Sequence, residues 1–544
     1  MKGFLTVLSA AALLFVSCSK QKADLILYNG QVYTVNGAFD TVQAFAVKDG
    51  KILATGNTEE IRKSYTAPEE IDALGKPVYP GFIDAHAHFF GYGQSLQDAD
   101  LREAKSWEEV CGRLTEFAKT HPDGWLTGNG WDQNDWPGKQ FPDKTKLDQL
   151  FPERPVFLTR IDGHAAIANQ KALDAAGLTK SYVLTGGEIV SKNGKLTGLL
   201  IDNATSLVEN KIQAPSPQQM EKILMDAQQN CFAAGLTTID DCGSNYELVN
   251  LIEKMQAGHK LKMRMYVMLS DHQPNYDYLF KRGAIKTERL NVRAFKVMGD
   301  GALGSRGACL LHPYHDMPDK SGFLLSNPEH FEAIAKKLAE KNFQMCTHAI
   351  GDSANRTILK IYNKVLGGKN DKRWRIEHAQ VIAPEDFDLF GKANIIPSVQ
   401  PTHATSDMYW AADRLGPERI KGAYAFKQLL KQNGWIPLGT DFPVEQINPM
   451  LTFYAATIRK DASNYPEGGF QKENGLSKEE TLRGMTIWAA KANFEEQEKG
   501  SIETGKFADF VILDQDLLKA SPAQILNTQV LKTYINGEKV YEKK

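Results

Sequence analysis

Eight short apolar runs, spread through the middle of this 544-residue chain, limit its fold more than any other sequence feature. Amphipathic stretches such as residues 328–341 lie between several of them, and this alternation predicts strand–helix units. Eight such units fit an α/β fold of the (β/α)8 TIM barrel type better than an open sheet. The predicted strands cover residues 78–83, 236–239, 263–269, 292–297, 343–347, 374–376, 395–399 and 435–438.

The remaining length divides into an insertion and two β-rich ends. Residues 89–235 are too many for one strand-to-helix connection, so we expect a large insertion after barrel strand one. Residues 23–78 and 499–544 both have the pattern of short strands, with turn pairs such as Asn29-Gly30 between them. These ends predict a small β-sandwich domain built from both ends of the chain, and residues 79–498 are then assigned to the barrel.

The first residues have the pattern of an export signal. Lys2 precedes an apolar run over residues 4–16, which is too short to span a bilayer but suits a secretory signal. The run ends in Phe15-Val16-Ser17-Cys18, which resembles the lipobox of bacterial lipoproteins. The resemblance implies a signal peptide over residues 1–17, a lipidated Cys18, and a membrane-anchored protein that faces the periplasm or the cell exterior. A plain signal peptide cut at another position is the alternative.

The charge balance excludes one class of partner. Lys plus Arg number 64 and Asp plus Glu 66, so the net charge is −2, without the basic excess of nucleic-acid-binding domains. We therefore expect a small-molecule substrate, no nucleic acid, and contact with a membrane only through the N-terminal lipid. A homodimer is one assembly that the sequence permits.

Four of the 12 histidines and one aspartate lie where predicted strands end. His86 and His88 follow the first predicted strand, and residues two apart in a strand face the same way, so their imidazoles converge. His348, His378 and Asp441 follow later predicted strands. Because the C-terminal ends of barrel strands meet in one pocket, these five side chains predict a metal site there.

Several longer motifs accompany the histidines. They are Asn29-Gly30, Pro80-Gly81-Phe82-Ile83-Asp84, His348-Ala349-Ile350-Gly351-Asp352, Glu377-His378-Ala379-Gln380 and Gly505-Lys506-Phe507-Ala508-Asp509. With them the chain resembles the amidohydrolase superfamily, specifically amidohydrolase family 3, over nearly all of its length after the leader. The resemblance implies that His86, His88 and Asp441 bind one divalent metal ion and that His348 and His378 bind a second.

Lys296 fills the remaining position of that ligand pattern. It lies in Phe295-Lys296-Val297, at predicted strand four, where the related enzymes place a carboxylated lysine that bridges two metals. Reaction of a neutral, buried amine with CO₂ turns a cation into an anionic oxygen ligand. The resemblance therefore implies two Zn²⁺ ions bridged by carboxylated Lys296. An unmodified Lys296 favours a single metal ion, and a lysine that only forms a salt bridge at the barrel rim is the other alternative.

The resemblance and its ligand set imply a metal-dependent hydrolase of a non-peptide C–N bond, in an N-acyl or N-formyl amine. Metal-activated hydroxide attacks the carbonyl, and Asp441 moves the proton to the leaving amine as general base and then general acid. The same metal site acting on a lactone, a phosphoester or another ester is the second enzyme hypothesis. A non-catalytic solute-binding lipoprotein is the hypothesis from a different class.

Five further residues are candidates for contact with the substrate. Polar and aromatic side chains occur together in the predicted insertion and in the loops after predicted strands four and seven, which is a usual pocket composition. Loop anchoring or surface polarity is the alternative for each of them. The candidates are Trp131, His164, Asp300, Arg306 and His403.

Overall fold

A parallel barrel forms the centre of the structure, a computed structural model that describes residues 20–180 and 184–544. Seven regular strands of the described residues pair in parallel, in the order in which they occur along the chain. Parallel pairing requires a crossover between successive strands, and helices supply most of these crossovers. The barrel strands are Phe82–Ala87, Leu236–Ser244, Arg264–Ser270, Leu290–Met298, Gln344–Ala349, Arg375–His378 and Ile396–Ser398.

Several of the barrel helices begin at a side-chain cap. Helix Pro328–Lys341 is an example: the Asn327 side chain accepts a hydrogen bond of 2.8 Å from the His330 amide, and Pro328 occupies the first turn. The helices around the barrel are Pro217–Ala233, Tyr246–Ala257, Gln273–Arg282, Pro328–Lys341, Asp352–Leu366, Asp388–Lys392, Phe426–Asn433, Pro449–Ile458, Lys478–Gly484 and Ile487–Ala492.

The eighth predicted strand, residues 435–438, is an extended segment rather than a regular strand. Leu438 forms one bridge with Val399, and its carbonyl accepts a hydrogen bond of 3.2 Å from the Ala85 amide in barrel strand one. Pro437 has no N–H to donate, which prevents a continuous ladder here. The segment still closes the barrel between its seventh and first strands, and it leads directly to Asp441.

The first predicted strand, residues 78–83, divides between two sheets. Pro77–Pro80 pairs with strands of the terminal β domain, whereas Phe82–Ala87 begins the barrel. Gly81 lies between them, where a Cβ would overlap the side chain of Thr237. The crossing from one sheet to the other therefore requires glycine, and one apolar run supplies two strands.

The insertion between barrel strands one and two has its own sheet and its own hydrophobic core. Helix Trp107–Thr120 packs Val110 and Leu114 against Leu126 and Leu158 of this sheet. The shorter helices of the insertion are Phe89–Ser95, Thr145–Leu150, Gln170–Ala175 and Ser206–Glu209. Within the described residues, the strands pair in the order Ala99–Asp100, Leu126–Trp131, Val156–Arg160, Ala165–Ala168, Lys195–Asp202 and Gly187–Lys192.

Both ends of the chain contribute to a domain of two sheets. Phe45 from the first end contacts Phe510 from the other, with ring centroids 5.0 Å apart, and Phe510 stacks on Tyr534. In the described part of the chain, one sheet has the order Lys51–Gly56, Ala44–Lys48, Leu25–Tyr28, Glu69–Asp72. The other has the order Glu538–Glu542, Val530–Ile535, Phe510–Leu513, Pro77–Pro80, Gln31–Tyr33, Thr41–Val42. The predicted fold, a TIM barrel with a small sandwich domain, is confirmed.

The leader cannot be compared with its prediction, since residues 1–17 and Cys18 lie outside the described residues. The chain is described from Lys20, and Gln21–Lys22 pairs with Tyr65–Thr66. Among the described helices, none has both the length and the apolar composition that a membrane crossing requires.

A buried ion pair joins the barrel to the terminal domain. Arg264, at the start of barrel strand three, donates to both carboxylate oxygens of Asp509, at 2.5 and 3.0 Å. Both side chains are almost completely buried, and the Asn536 amide also donates to Asp509 at 2.9 Å. The last residue of the Gly505–Asp509 motif therefore has a structural role at this interface.

Asp509→Ala should lower the free energy of unfolding by about 3–5 kcal/mol, because it leaves the Arg264 guanidinium buried without its counter-ion. Chemical denaturation monitored by circular dichroism would measure the change. Glu116→Ala, which removes an exposed ion pair with Lys119, is the control and should unfold like the wild type. Equal stability of the two variants would contradict this role of Asp509.

Candidate metal centre

The two histidines at the end of barrel strand one are held by hydrogen bonds at Nδ1. His86 Nδ1 lies 2.5 Å from Glu377 Oε2, and His88 Nδ1 lies 2.9 Å from the Cys242 carbonyl oxygen. Both partners accept, so both Nδ1 atoms donate and each neutral ring keeps a lone pair on Nε2. These Nε2 atoms lie 3.5 and 3.2 Å from Asp441 Oδ1. Three potential ligand atoms thus meet at one place.

Asp441 is placed by the segment that closes the barrel. Its amide donates to the His86 carbonyl at 2.7 Å, and its backbone has a φ of 65°, in the left-handed region. Oδ2 lies 3.2 Å from His403 Nε2. Oδ1 is buried and has no hydrogen-bond partner among the residues described. A buried carboxylate oxygen that faces two imidazole nitrogens without a hydrogen bond is an arrangement that a divalent cation would satisfy.

His348 and His378 lie beside this group. The ring centroids of His348 and His378 are 4.5 Å apart, and those of His378 and His86 are 4.7 Å apart. His378 Nδ1 lies 2.8 Å from Gln400 Oε1, so this ring too keeps Nε2 available when it is neutral. The structure therefore brings the four predicted histidine ligands and Asp441 together, and the assignment of each ligand to an individual ion remains a prediction.

Lys296 lies at the same place, on barrel strand four. Its Nζ is 3.1 Å from His86 Nε2, and the side chain is almost completely buried. In the part of the chain that the structure describes, Nζ forms no ion pair with a carboxylate. Lys296 therefore lies beside one predicted ligand, His86, and its role as a carboxylated bridging ligand stays a prediction.

The protonation states in this cluster suit a metal ion. Burial lowers the pKa of His86 to about 4 and holds the pKa values of His348 and His378 well below the usual range. Burial alone would raise the pKa of Asp441, but the hydrogen bond from His403 and the other neighbouring imidazoles outweigh burial and hold that pKa well below its usual value. Neutral imidazoles and an ionised carboxylate are the forms that bind a cation.

A cavity of about 710 Å³ opens in front of this cluster. The insertion and the loops after barrel strands four, seven and eight form the other walls. Two of the five predicted substrate contacts, His164 and His403, line the cavity. Its other charged or aromatic wall residues include Tyr92, Arg102, Asp132, Asp135, Arg160, Asp162, Asp407, Trp410 and Glu445.

The other three predicted substrate contacts do not line this cavity. Trp131 is fully buried in the core of the insertion, where its indole N–H donates to the Leu158 carbonyl at 2.9 Å. Asp300 is also fully buried and accepts hydrogen bonds from the amides of the strand-five loop and of Cys309. Arg306 forms an ion pair with Asp316 at a second, separate pocket. The prediction that Asp300 and Arg306 contact the substrate in this cavity is therefore wrong. Both side chains instead anchor loops, which was the alternative.

Glu377 and Asp202 are among the site carboxylates that the sequence did not predict. Glu377 is the chain neighbour of His378, and neighbours in a strand normally face opposite sides. The positive φ of His378, 73°, breaks this alternation and lets both side chains face the barrel interior. Asp202, which binds His164, lies far from the other site residues in the sequence, and no local pattern identifies it.

The fold and this cluster together define a metal-dependent hydrolase. A family model described as the amidohydrolase family matches residues 69–541, and the chain therefore belongs to this family. The resemblance inferred from the sequence motifs is confirmed.

Similar proteins agree with this placement. YtcJ of Bacillus subtilis (strain 168) is 32% identical over 528 residues, which cover 95% of this chain and 99% of YtcJ. N-substituted formamide deformylase of Arthrobacter pascens is 25% identical over 545 residues, which cover 96% and 99% of the two chains. The crystal structure of an uncharacterized metal-dependent hydrolase from Pyrococcus horikoshii OT3 has a TM-score of 0.75 and 27% identity, covering 92% of this chain and 99% of that one.

The stability of the metal-free protein should fall as the pH is lowered from about 6.5 to about 4. In the unfolded chain His86 has the ordinary histidine pKa of 6.5, and in the folded chain its pKa is about 4. Between these two pH values the unfolded chain binds a proton at His86 that the folded chain does not, so a lower pH favours unfolding. Thermal unfolding after chelator treatment, measured across this range, would test the prediction. His86→Asn should reduce the slope, and a wild-type melting temperature that stays constant over the window would contradict it.

Proposed function

We propose that the protein hydrolyses a non-peptide C–N bond in an N-acyl or N-formyl amine. The observation that carries this proposal is the meeting of His86, His88 and Asp441, two of which, His88 and Asp441, line the cavity. A volume of about 710 Å³ is in the range of small-molecule sites. The relative from Arthrobacter pascens carries the name N-substituted formamide deformylase, which supports an amide of this class as the substrate.

The residues of the cluster would hold two Zn²⁺ ions. His86, His88 and Asp441 would bind one ion and His348 and His378 the other, because imidazole and carboxylate ligands suit zinc. Such an ion lowers the pKa of water and polarises a carbonyl oxygen. An ammonium on Lys296 would be buried with no carboxylate of the described residues within ion-pair distance, which supports a carboxylated Lys296 between the two ions. With an unmodified amine, a single ion is the alternative.

Asp441 would carry the proton between the attacking water and the leaving nitrogen. His403 holds Oδ2 at 3.2 Å, and Glu445 holds His403 Nδ1 at 3.0 Å, so the carboxylate keeps one orientation with Oδ1 free. Because its pKa is held low, the carboxylate is ionised at neutral pH and has the form that accepts a proton. A carboxylate of this kind suits a relay that accepts a proton and passes it on.

We also propose that the chain is exported and anchored through a lipid on Cys18. The proposal rests on Lys2, the apolar run over residues 4–16 and the Phe15–Cys18 sequence. In cells that express the full chain, Cys18→Ser should move the protein from the membrane fraction to the soluble fraction. An unchanged distribution would contradict lipidation at this residue.

The purified protein should hydrolyse members of a panel of N-formyl and N-acetyl amines, and a chelator should abolish turnover. Added Zn²⁺ should restore the activity, and metal analysis should give the number of ions per chain. Matched esters and lactones, assayed in parallel, test the competing enzyme hypothesis. Turnover that is insensitive to chelator would contradict a metal mechanism, and turnover of esters alone would contradict the proposed bond.

Asp441→Asn should lower kcat by about 100-fold or more, because the amide cannot accept the proton. The variant should keep much of its bound metal, since the histidine ligands remain. Asp413→Asn, which affects an exposed ion pair with Lys139, is the matched control. Wild-type turnover of Asp441→Asn at equal metal content would refute the proton-transfer role.

A further inference from the structure

The wall of the active-site cavity carries more carboxylates than guanidinium groups. Outside the predicted metal ligands, the described wall residues with carboxylates are Asp100, Glu103, Asp132, Asp135, Asp162, Asp407 and Glu445, and those with guanidinium groups are Arg102, Arg113 and Arg160. A charged substrate therefore meets a wall with an excess of negative charge. Which charges a substrate can use depends on which of them are already paired within the protein.

The basic side chains of this wall are already paired with carboxylates in the described part of the chain. The two histidines outside the predicted ligand set, His164 and His403, are hydrogen-bonded to Asp202 and Glu445. The arginine pairs are Arg160 with Asp132 and Asp162, Arg102 with Asp100, and Arg113 with Glu109. An anionic group on a substrate would therefore find no unpaired guanidinium on this wall.

Asp407 differs from the other carboxylates of the wall. Among the described residues, Glu103, Asp135 and Asp407 form no ion pair, but only Asp407 is partly buried, whereas the other two are exposed to water. Burial, with smaller contributions from Glu445 and Asp132, raises the pKa of Asp407 to about 7. A cation bound beside this carboxylate would favour its ionised form.

A hydrogen-bond network fixes Asp407 together with Gln380, which follows barrel strand six. The Tyr424 hydroxyl donates to Asp407 Oδ2 at 2.7 Å, so the Tyr424 oxygen accepts from the Gln380 amide nitrogen at 2.9 Å. The same nitrogen lies 3.3 Å from Asp407 Oδ2. Both neighbours are oxygen acceptors for this nitrogen, which sets the orientation of the amide and leaves its carbonyl oxygen, Oε1, at the free end.

Two acceptor atoms of this network remain available to a ligand. Gln380 Oε1 and Asp407 Oδ1 have no hydrogen-bond partner among the described residues, and both side chains line the cavity. Gln380 is only 5% exposed, so bulk water cannot replace a partner freely. An amide oxygen accepts in every protonation state, and neither side chain is hydrogen-bonded to a predicted metal ligand. The acceptor role of Gln380 therefore does not depend on a bound ion.

A primary ammonium matches this pair of acceptors. It carries three N–H donors and a positive charge, so it can donate to the amide oxygen and form an ion pair with the carboxylate at the same time. An alkyl group at this place would leave both acceptors without a partner. A carboxylate would add a further negative charge beside Asp407.

We propose that Asp407 and the carbonyl oxygen of Gln380 bind a primary ammonium group on the amine part of the substrate. The preferred substrates are then N-acyl or N-formyl derivatives of diamines. This inference rests on the proposed amide hydrolysis and names its substrate class. The charge belongs on the amine part because a formyl group has no room for a substituent. The loops after barrel strands six and seven then select the charge of the substrate.

The test compares N-(5-aminopentyl)formamide with N-hexylformamide, which has a methyl group in place of the ammonium, on the zinc-loaded full chain. At about pH 8 the Asp407 carboxyl, with a pKa of about 7, and the substrate amine are both mainly ionised. The wild type should prefer the ammonium substrate by about tenfold or more in kcat/KM, as expected for one hydrogen bond between charged groups. Pairs with shorter and longer alkyl chains are assayed in the same way, so that an unsuitable length does not hide the preference.

Asp407→Asn should reduce this preference about tenfold, because the amide carries no charge. Gln380→Met removes the second acceptor and should reduce the preference a few-fold. Asp413→Asn changes an exposed aspartate that does not line the cavity and is the matched control, which should keep the full preference.

A structural role of Asp407 would give a different pattern. It predicts that Asp407→Asn lowers metal content, melting temperature and turnover of both substrates together, with an unchanged preference, and this result would overturn the inference. Equal kcat/KM of the wild type for both members of every pair would overturn it as well, whether or not the variants fold.

Failure of the proposed amide hydrolysis is recognised separately. If the wild type hydrolyses no formamide, calorimetry with N-(5-aminopentyl)urea and N-hexylurea measures binding without turnover. About tenfold tighter binding of the first urea, lost in Asp407→Asn, would support the ammonium site although the proposed reaction is wrong. Equal affinity of the wild type for both ureas would overturn the inference.

Discussion

The hydrogen bond between His86 and Glu377 connects the active site to the interior of the barrel. Burial alone would raise the pKa of Glu377, but His86 and Arg375 outweigh it and keep the carboxylate ionised. Arg375 is itself paired with Asp240 at 3.0 Å, so the charge is balanced inside the barrel. With its Nδ1 bound to Glu377, His86 directs Nε2 toward Lys296 Nζ and Asp441 Oδ1, which lie 3.1 and 3.5 Å away. Glu377 is not itself a predicted metal ligand, but it fixes the orientation of His86, which is one.

The insertion is attached to the barrel by a loop of regularly spaced glycines. Gly301, Gly304 and Gly307 lie three residues apart. A Cβ on Gly301 or Gly307 would overlap the Asp202 carboxylate of the insertion, and a Cβ on Gly304 would lie only 3.1 Å from the Arg160 guanidinium. The insertion thus packs against the loop that follows Lys296 on barrel strand four. The same loop therefore supports both the candidate metal centre and the outer wall of the cavity.

The sequence was informative where one local pattern produces one local structure. The apolar runs identified seven of the barrel strands, and the position of His86, His88, His348, His378 and Asp441 after such runs identified the cluster, because parallel strands bring their C-terminal ends together. Composition was less informative about the cavity wall. Trp131 and Arg306 have the residue types of a binding site, but one fills the core of the insertion and the other forms an ion pair with Asp316. Whether such a side chain faces a core, a loop or a cavity depends on contacts between distant segments, which residue type does not encode.

Asp441 follows the barrel segment that has no regular strand pairing. The segment of residues 435–438 holds the barrel closed with few backbone hydrogen bonds, since Pro437 interrupts the pairing, and Asp441 follows it directly. A metal ion bound by Asp441, His86 and His88 would also connect the segment of residues 435–438 to barrel strand one. Metal binding would then also raise the free energy of unfolding of the barrel, so the ion would have a structural role as well as a chemical one.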